Sequence, residues 1–239
     1  MGIRISRIHT GGGIYDEDGL ASIHNHDFAD DPAFVAAYER GVRAAGDYSW
    51  RWRVHIGLWA AEAASRLEGD FVECGVNRGF LSSAIMQYLD WNNLNKNFYL
   101  LDTFSGMDSR YAIEGAERRN NENLESGFYV KDANAARQNF GEWKNVRIIV
   151  GPVPDTLCEV DTEKIAYLHL DMNCPEPEAA AFEILWPRLV PGAFVLLDDY
   201  AYRGYSSQKS AMDVAAAKQK VRIASLPTGQ GLLIKPARF

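Results

Sequence analysis

Along most of this chain, short and nearly continuous apolar runs alternate with stretches of helical periodicity, and that alternation leaves few folds open to it. The runs span residues 71–75, 98–102, 146–151, 165–171, 193–198, 221–226 and 232–235. Helical stretches at 80–91, 133–140 and 176–189 lie between the first five, and another at 207–218 follows the fifth. Such alternation predicts a parallel sheet with helices on both faces. Strands covered on both sides are apolar throughout rather than at every second residue. The last two runs are separated by Pro227-Thr228-Gly229-Gln230-Gly231, a hairpin-like turn, so the sheet is expected to finish with an antiparallel pair. Upstream, Asp31 and Pro32 mark a helix start with Phe34, Val35 and Tyr38 on its apolar face, and a longer helix covers 50–67.

A chain of 239 residues can bury a sufficient core as one α/β domain. The expectation is a single domain over 1–239, with 1–50 as an N-terminal cap or substrate-side extension. The polar segment 108–130 follows the second strand, at the end where open α/β sheets bind ligands. It is either a substrate lid or a solvated insertion. Apolar residues make up 47%, which excludes disorder. No apolar run approaches the roughly 18 residues of a membrane span. The start, MGIRISRIHTGGG, has no secretory apolar core. The three cysteines, Cys74, Cys158 and Cys174, form no CxxC pair or disulfide framework, so a cytoplasmic location is expected. Net charge is −7 and the basic residues are scattered, which favours a small-molecule partner over nucleic acid or membrane.

Three constellations carry chemistry. The first is Glu73-Cys74-Gly75-Val76-Asn77-Arg78-Gly79, joining the first strand of the alternation to a helix. Gly75 permits a tight turn and close approach to a ligand. The helix N-terminus beyond it offers free N–H groups to a carboxylate, and Glu73 can face a cationic amino group. The second is Asp102-Thr103-Phe104-Ser105-Gly106, where an acid at a strand end can accept both hydroxyls of a ribose. Together these point to an adenosine-containing ligand. The third is Asp171 with Asp198 and Asp199, which end the fourth and fifth runs. Adjacent parallel strands end at one edge, so three carboxylates converge there and repel one another unless neutralised. A hard divalent cation, Mg²⁺ above all, is the natural remedy, and it would lower the pKa of a bound hydroxyl. His24 and His26 read as surface residues and His169 as a core residue; Trp50, Trp52 and Trp59 read as packing. Tyr200, Tyr202 and Tyr205 suit a ring-binding surface.

Taken in order, GDFVECGVNRG, YLLDTFSGM, GPVPDTL, LHLDMN and WPRLVPGAFVLLDDY resemble the macrocin O-methyltransferase family (the TylF type), over roughly residues 69–200. The resemblance implies the Rossmann-like sheet of class I methyltransferases, mostly parallel with an antiparallel C-terminal strand. It implies a Mg²⁺-requiring O-methyltransferase that uses S-adenosylmethionine (SAM) on sugar hydroxyls of natural products, assembled as a dimer or larger homo-oligomer. By the same resemblance Glu73, Gly75, Val76, Asn77, Arg78 and Ser82 would hold the methionine end of SAM. Asp102 would bind the ribose, with Thr103 and Phe104 beside the adenosine. Asp171, Asp198 and Asp199 would be metal ligands, and Asp171 also the general base. The family continues its fourth strand as LD-x-D-x-Y, whereas this chain reads Leu170-Asp171-Met172-Asn173-Cys174-Pro175, a departure that bears on the acceptor. Two alternatives stand beside this reading: a metal-independent small-molecule methyltransferase, and a catalytically silent SAM- or nucleotide-binding partner subunit.

Overall fold

The computed structural model describes residues 14–111 and 116–237, with side chains between 116 and 119 left aside. The first part of the 1–50 extension and residues 112–115 of the 108–130 segment therefore lie outside the described residues.

The described residues open with a hairpin that sequence periodicity did not reveal. Strands β1 (Tyr15–Glu17) and β2 (Leu20–Ser22) pair antiparallel around Asp18-Gly19. Both turn residues have positive φ, 51° and 74°, the conformation that suits Asp-Gly in a two-residue turn. Helix α1 (Pro32–Ala45) follows. Its N-cap Asp31 accepts from the N–H groups of Ala33 and Phe34, Pro32 opens the first turn, and Gly46 ends it at φ 96°. Helix α2 (Arg51–Ser65) leads into β3 (Asp70–Cys74), α3 (Phe80–Tyr88) and β4 (Phe98–Asp102). Then come α4 (Ala116–Ser126), α5 (Asn134–Phe140), β5 (Val146–Val150), β6 (Ile165–Leu170), α6 (Pro175–Leu185) and β7 (Leu189–Leu197). The chain closes with α7 (Ser206–Lys218), β8 (Ala224–Ser225) and β9 (Gly231–Ile234).

Seven strands form one sheet in the order β5-β4-β3-β6-β7-β9-β8. The pairs from β5 to β7 are parallel, and β9 runs antiparallel to both β7 and β8. The expected Rossmann-like α/β sheet with an antiparallel C-terminal strand is therefore present. Several boundaries differ from expectation; the helix expected over 176–189, for one, stops at Leu185. The strand expected at 193–198 begins at Leu189, and extra residues around Pro191-Gly192 shift its register against β6; Pro191 has no N–H to give the ladder. The strand expected at 221–226 shrinks to two exposed residues on the sheet edge, because Val221 and Ile223 pack against the core instead. The helix expected over 80–91 stops at Tyr88, just before Asp90 turns to φ 49°.

Two apolar layers sandwich the sheet. One face carries Phe71, Leu100, Tyr167, Phe194 and Leu196 against α1, α2 and α3. The other carries Val72, Cys74, Leu101, Leu168, Leu170, Val195 and Leu197 against α6 and α7. No helix among the described residues is long and apolar enough to cross a membrane.

Candidate active site

Strand register decides which side chains meet. Glu73 on β3 lies beside His169 on β6, and His169 beside Leu196 on β7. Side chains alternate between faces with period two. Gly75, Asp171 and Asp198, each two residues further on, therefore share that face at the carboxyl ends of their strands. The ladder runs to this edge: Asp171 N donates to Cys74 O at 2.8 Å, and Asp198 N to Leu170 O at 3.0 Å. The backbones approach so closely that a Cβ on Gly75, at φ 91°, would stand 1.8 Å from the Asp171 carbonyl oxygen. Only glycine is tolerated there. The face is apolar along the strands and turns polar at their ends, which is where a cleft of about 290 Å³ opens.

At the β3–β4 end the site is built mostly from backbone. Asp102 Oδ2 accepts from the N–H groups of Val76 and Asn77 at 2.7 and 2.8 Å, and Oδ1 accepts from Phe104 N at 2.7 Å. One carboxylate thus fixes both turns. Asn77, at φ 50°, donates from Nδ2 to Phe128 O at 2.9 Å, and its Oδ1 accepts from Val130 N at 3.0 Å. The segment after α4 is thereby tied to the turn after β3, and Phe128, Tyr129 and Val130 line the cleft. Gly75, Val76, Asn77, Asp102 and Thr103 also line it. Arg78 reaches away to donate to Gly127 O at 2.8 Å, while Ser82 and Phe104 are fully buried outside the lining.

At the β6–β7 end the site is built from charge. Oxygens of Asp171, Asp198 and Asp199 lie within 4.8 Å of one another. Burial and the neighbouring acids Asp198 and Asp199 push the Asp171 carboxyl well above the carboxylate range. Burial and Asp198 likewise push Asp199 up to about 7, although Arg53 pulls the other way. For Asp198 burial is outweighed: Arg53 and His169 hold its carboxyl well below the usual range. Glu178, buried in α6 behind them, accepts from Met172 N at 3.2 Å; burial and Asp199 push it up to about 8.

Two cations answer these acids. Arg53 projects from the buried face of α2 with its side chain 6% exposed. Nη1 donates to Asp198 Oδ2 at 2.5 Å, Nε donates to Asp18 Oδ2 at 2.7 Å, and Nη2 stands 3.6 Å from Asp199 Oδ1. Its guanidinium lies 4.6 Å over the Tyr202 ring, and the Tyr202 hydroxyl donates to Asp18 Oδ1 at 3.0 Å. His169 pairs through Nδ1 with Glu73 Oε1 at 2.9 Å. Its Nε2 stands 3.9 Å from Asp198 Oδ1, beyond hydrogen-bond reach, so that pairing acts as charge attraction. Burial opposes a charge on His169, but Asp198 and Glu73 outweigh it and hold its pKa up at about 10. Glu73 Oε2 is buried without a hydrogen-bond partner.

Sequence reasoning brought the acids and the turns to one edge but missed Asp18, Arg53, His169 and Gln230 at the site. Two signals were present. Asp18-Gly19 is a two-residue turn pair, and Arg53 interrupts the otherwise apolar buried face formed by Val54, Gly57, Leu58 and Ala61. Of the three tyrosines expected at a ring-binding surface, Tyr202 and Tyr205 line the cleft and Tyr200 is buried with its hydroxyl bonded to Asp213; Trp50, expected only to pack, lines the cleft as well.

Comparison with known proteins places this geometry. A family model described as macrocin-O-methyltransferase (TylF) matches residues 59–223. A curated relative from Streptomyces olivaceus is named 8-demethyl-8-(2,3-dimethoxy-alpha-L-rhamnosyl)-tetracenomycin-C 4'-O-methyltransferase. It is 31% identical over 150 residues, which are 58% of this chain and 55% of that protein. The chain therefore spans about half the length of the curated relative it matches. The solved O-methyltransferase NovP is similar in structure at TM-score 0.68 and 20% identity, covering 88% of this chain and 98% of its own. The SAH-bound Podospora anserina methyltransferase PaMTH1 reaches 0.55 at 16% identity, covering 92% and 100%. At such identities the two structures establish the fold.

Proposed function

The chain belongs to the macrocin O-methyltransferase family, and from that premise we propose that it transfers the methyl group of SAM to a hydroxyl of a small molecule. The acceptor hydroxyl belongs to a sugar of a natural product or glycan precursor. Two observations support that class: the relative named as acting at the 4' position of a rhamnosyl tetracenomycin, and the aromatic faces of Trp50, Tyr202 and Tyr205 in the cleft. What carries the reading is the pairing, inside the matched residues, of an Asp102-braced glycine turn with the Asp171, Asp198 and Asp199 cluster in one cleft.

In this reading Glu73, Gly75, Val76, Asn77, Arg78 and Ser82 hold the methionine end of SAM. Glu73 Oε2, unpartnered within the protein, is the oxygen available to its ammonium group. Arg78 and Ser82 act from behind, Arg78 by fastening the turn to Gly127 and Ser82 from inside α3. Asp102 takes the ribose hydroxyls, since an ionised carboxylate oxygen accepts from more than one donor. Thr103 flanks the adenosine, and buried Phe104 supports it through a backbone N–H held by Asp102. SAM supplies an electrophilic methyl group on a sulfonium centre.

The acidic cluster fits a divalent cation, Mg²⁺. Its donors are hard carboxylate oxygens, they lie within 4.8 Å, and the raised Asp171 and Asp199 carboxyls mark a site short of positive charge. Asp171, Asp198 and Asp199 would hold it, and the ion would lower the pKa of an acceptor hydroxyl and orient it. Asp171, at the end of β6 within this cluster, receives the hydroxyl proton as general base once the cation holds its carboxyl ionised. Positioning the two reactants supplies much of the acceleration. The 108–130 segment acts as a lid, fastened through Asn77 to the cofactor turn.

Titration calorimetry of the chelator-treated protein with S-adenosylhomocysteine, against NAD⁺ as control, tests the cofactor. Micromolar binding of S-adenosylhomocysteine alone supports it, and no binding by folded protein overturns it. Asp198→Ala should lose methyl transfer and retain S-adenosylhomocysteine. Full activity in a chelator would remove the metal from the mechanism.

A further inference from the structure

Arg53 occupies ground that a metal ion would want. A cation shared by Asp171, Asp198 and Asp199 needs an oxygen from Asp198. Asp198 Oδ2 already accepts from Arg53 Nη1 at 2.5 Å, and Oδ1 accepts from Gln230 Nε2 at 3.2 Å. Two positive centres on one carboxylate repel each other strongly where water is excluded. The planar fork of Arg53 also serves a second element, because Nε holds Asp18 at the tip of the β1–β2 hairpin. With three residues per strand, this hairpin has little stability of its own. It is fastened to α2 at three points: Arg53 with Asp18, Arg51 with Glu17, and Trp52 N donating to the Tyr15 hydroxyl at 3.3 Å. Asp18 lines the cleft on the acid side.

We infer that Arg53 is a tethered counter-ion that a divalent cation must displace from Asp198, so that cation loading loosens the tip of the β1–β2 hairpin beside the acceptor end of the cleft. The inference rests on the metal reading proposed above. Before loading, Arg53 neutralises Asp198 and Asp18 together and keeps the acids assembled. On loading, the ion takes over Asp198, the Arg53 fork swings off it, and Asp18 loses the anchor that is shared with the acidic edge. Because linkage is reciprocal, whatever orders the hairpin weakens cation binding by the same factor. Arg53 is thus a positioning residue that couples cation occupancy to the mouth of the cleft.

The test uses the full chain after chelator treatment, with Mg²⁺ alone as the probe. Calorimetry gives the Mg²⁺ affinity, and hydrogen exchange follows the amides of residues 15–22. Arg53→Met should bind Mg²⁺ about tenfold more tightly than the parent, a gain that a merely structural role for Arg53 would not produce. In the parent, Mg²⁺ should speed exchange of the hairpin amides. In Arg53→Met those amides should exchange fast from the start and respond no further. If Arg53→Met does not fold, Arg53→Lys carries the test. It keeps the charge but cannot span Asp18 and Asp198 together, so tighter Mg²⁺ binding and a faster hairpin are again expected. Equal or weaker Mg²⁺ binding in the variant, or hairpin exchange indifferent to Mg²⁺, overturns this inference and leaves the metal site standing. No Mg²⁺ binding by the parent or by either variant overturns the metal reading, and the inference with it.

Discussion

The two ends of the cleft are stabilised by opposite means. At the β3–β4 end, one carboxylate is braced by three backbone N–H groups from two turns and keeps acceptor capacity to spare, so its charge is answered by fixed dipoles. At the β6–β7 end, Asp171, Asp198 and Asp199 face one another, and two side-chain cations answer them only in part. The turns of the first end are fixed before any ligand arrives. The second is left short of positive charge, and so it is the end that responds to protons and cations. A binding surface gains from the first arrangement, because nothing there needs to reorganise. A reacting centre gains from the second, where a small added charge has a large effect.

The largest expected effect comes where the two ends touch. Gly75→Ala drives a methyl group into the Asp171 carbonyl. It should cost more than about 4 kcal/mol and yield no cooperatively folding protein, as circular dichroism through a denaturant series would report. Next is Asp102→Ala, which frees three N–H groups. Charge-assisted bonds of this kind contribute ~1.5–3 kcal/mol each, but water entering the open cleft re-solvates most of what the three N–H groups lose, so a net stability loss of about 3 kcal/mol is expected, together with S-adenosylhomocysteine affinity weakened at least tenfold. If Asp198→Ala weakened that affinity as much, the separation of the two ends would fail.

A pH series sharpens the contrast at the charged end. In the folded chain Asp199 holds its proton up to about pH 7, against an ordinary value of 3.8. Between those values the folded state binds more protons than the unfolded one, so the stability of metal-free protein falls as pH rises. His169, held up at about 10 from 6.5, acts with the same sign; its contribution is complete below 6.5 and is lost towards 10. Asp199→Asn should make the lower part of this decline shallower, the remaining slope there coming from the likewise raised Asp171 and Glu178, and leave the upper part to His169. Mg²⁺ should raise the melting temperature more at pH 8 than at pH 6. The smallest effect is expected from Tyr202→Phe, which removes the 3.0 Å hydroxyl bond to Asp18. A loss of about 1 kcal/mol or less by chemical denaturation is anticipated.

How much of this was legible beforehand follows from sequence separation. Strands that end in acids announce themselves locally: Leu170-Asp171 and Leu197-Asp198-Asp199 carry both the apolar run and its polar stop, and the parallel sheet does the rest. Arg53 gave only a local oddity, a charge on a buried helical face. Its partners Asp18 and Asp198 lie 35 and 145 residues away and meet it only once the hairpin docks on α2. His169 was legible as buried and not as functional. Its pairing with Glu73 depends on the β3–β6 register, which no single strand encodes. The β1–β2 hairpin is too short for a two-residue period to stand out, although its Asp-Gly turn was in view.

The shared face of Glu73, His169, Asp171 and Asp198 also bears on how this chain can change over evolutionary time. Inserting or deleting one residue within β6 or β7, where no bulge like that around Pro191-Gly192 absorbs it, would rotate every later side chain to the opposite face. The acids would then enter the layer occupied by Leu168, Leu170, Val195 and Leu197, and those aliphatic groups would line the cleft. A change of length in these two strands therefore needs a compensating bulge to keep the acids at the cleft. The hairpin around Asp18-Gly19 touches the cleft from outside the ladder, so a change in its length leaves the register of the acids untouched.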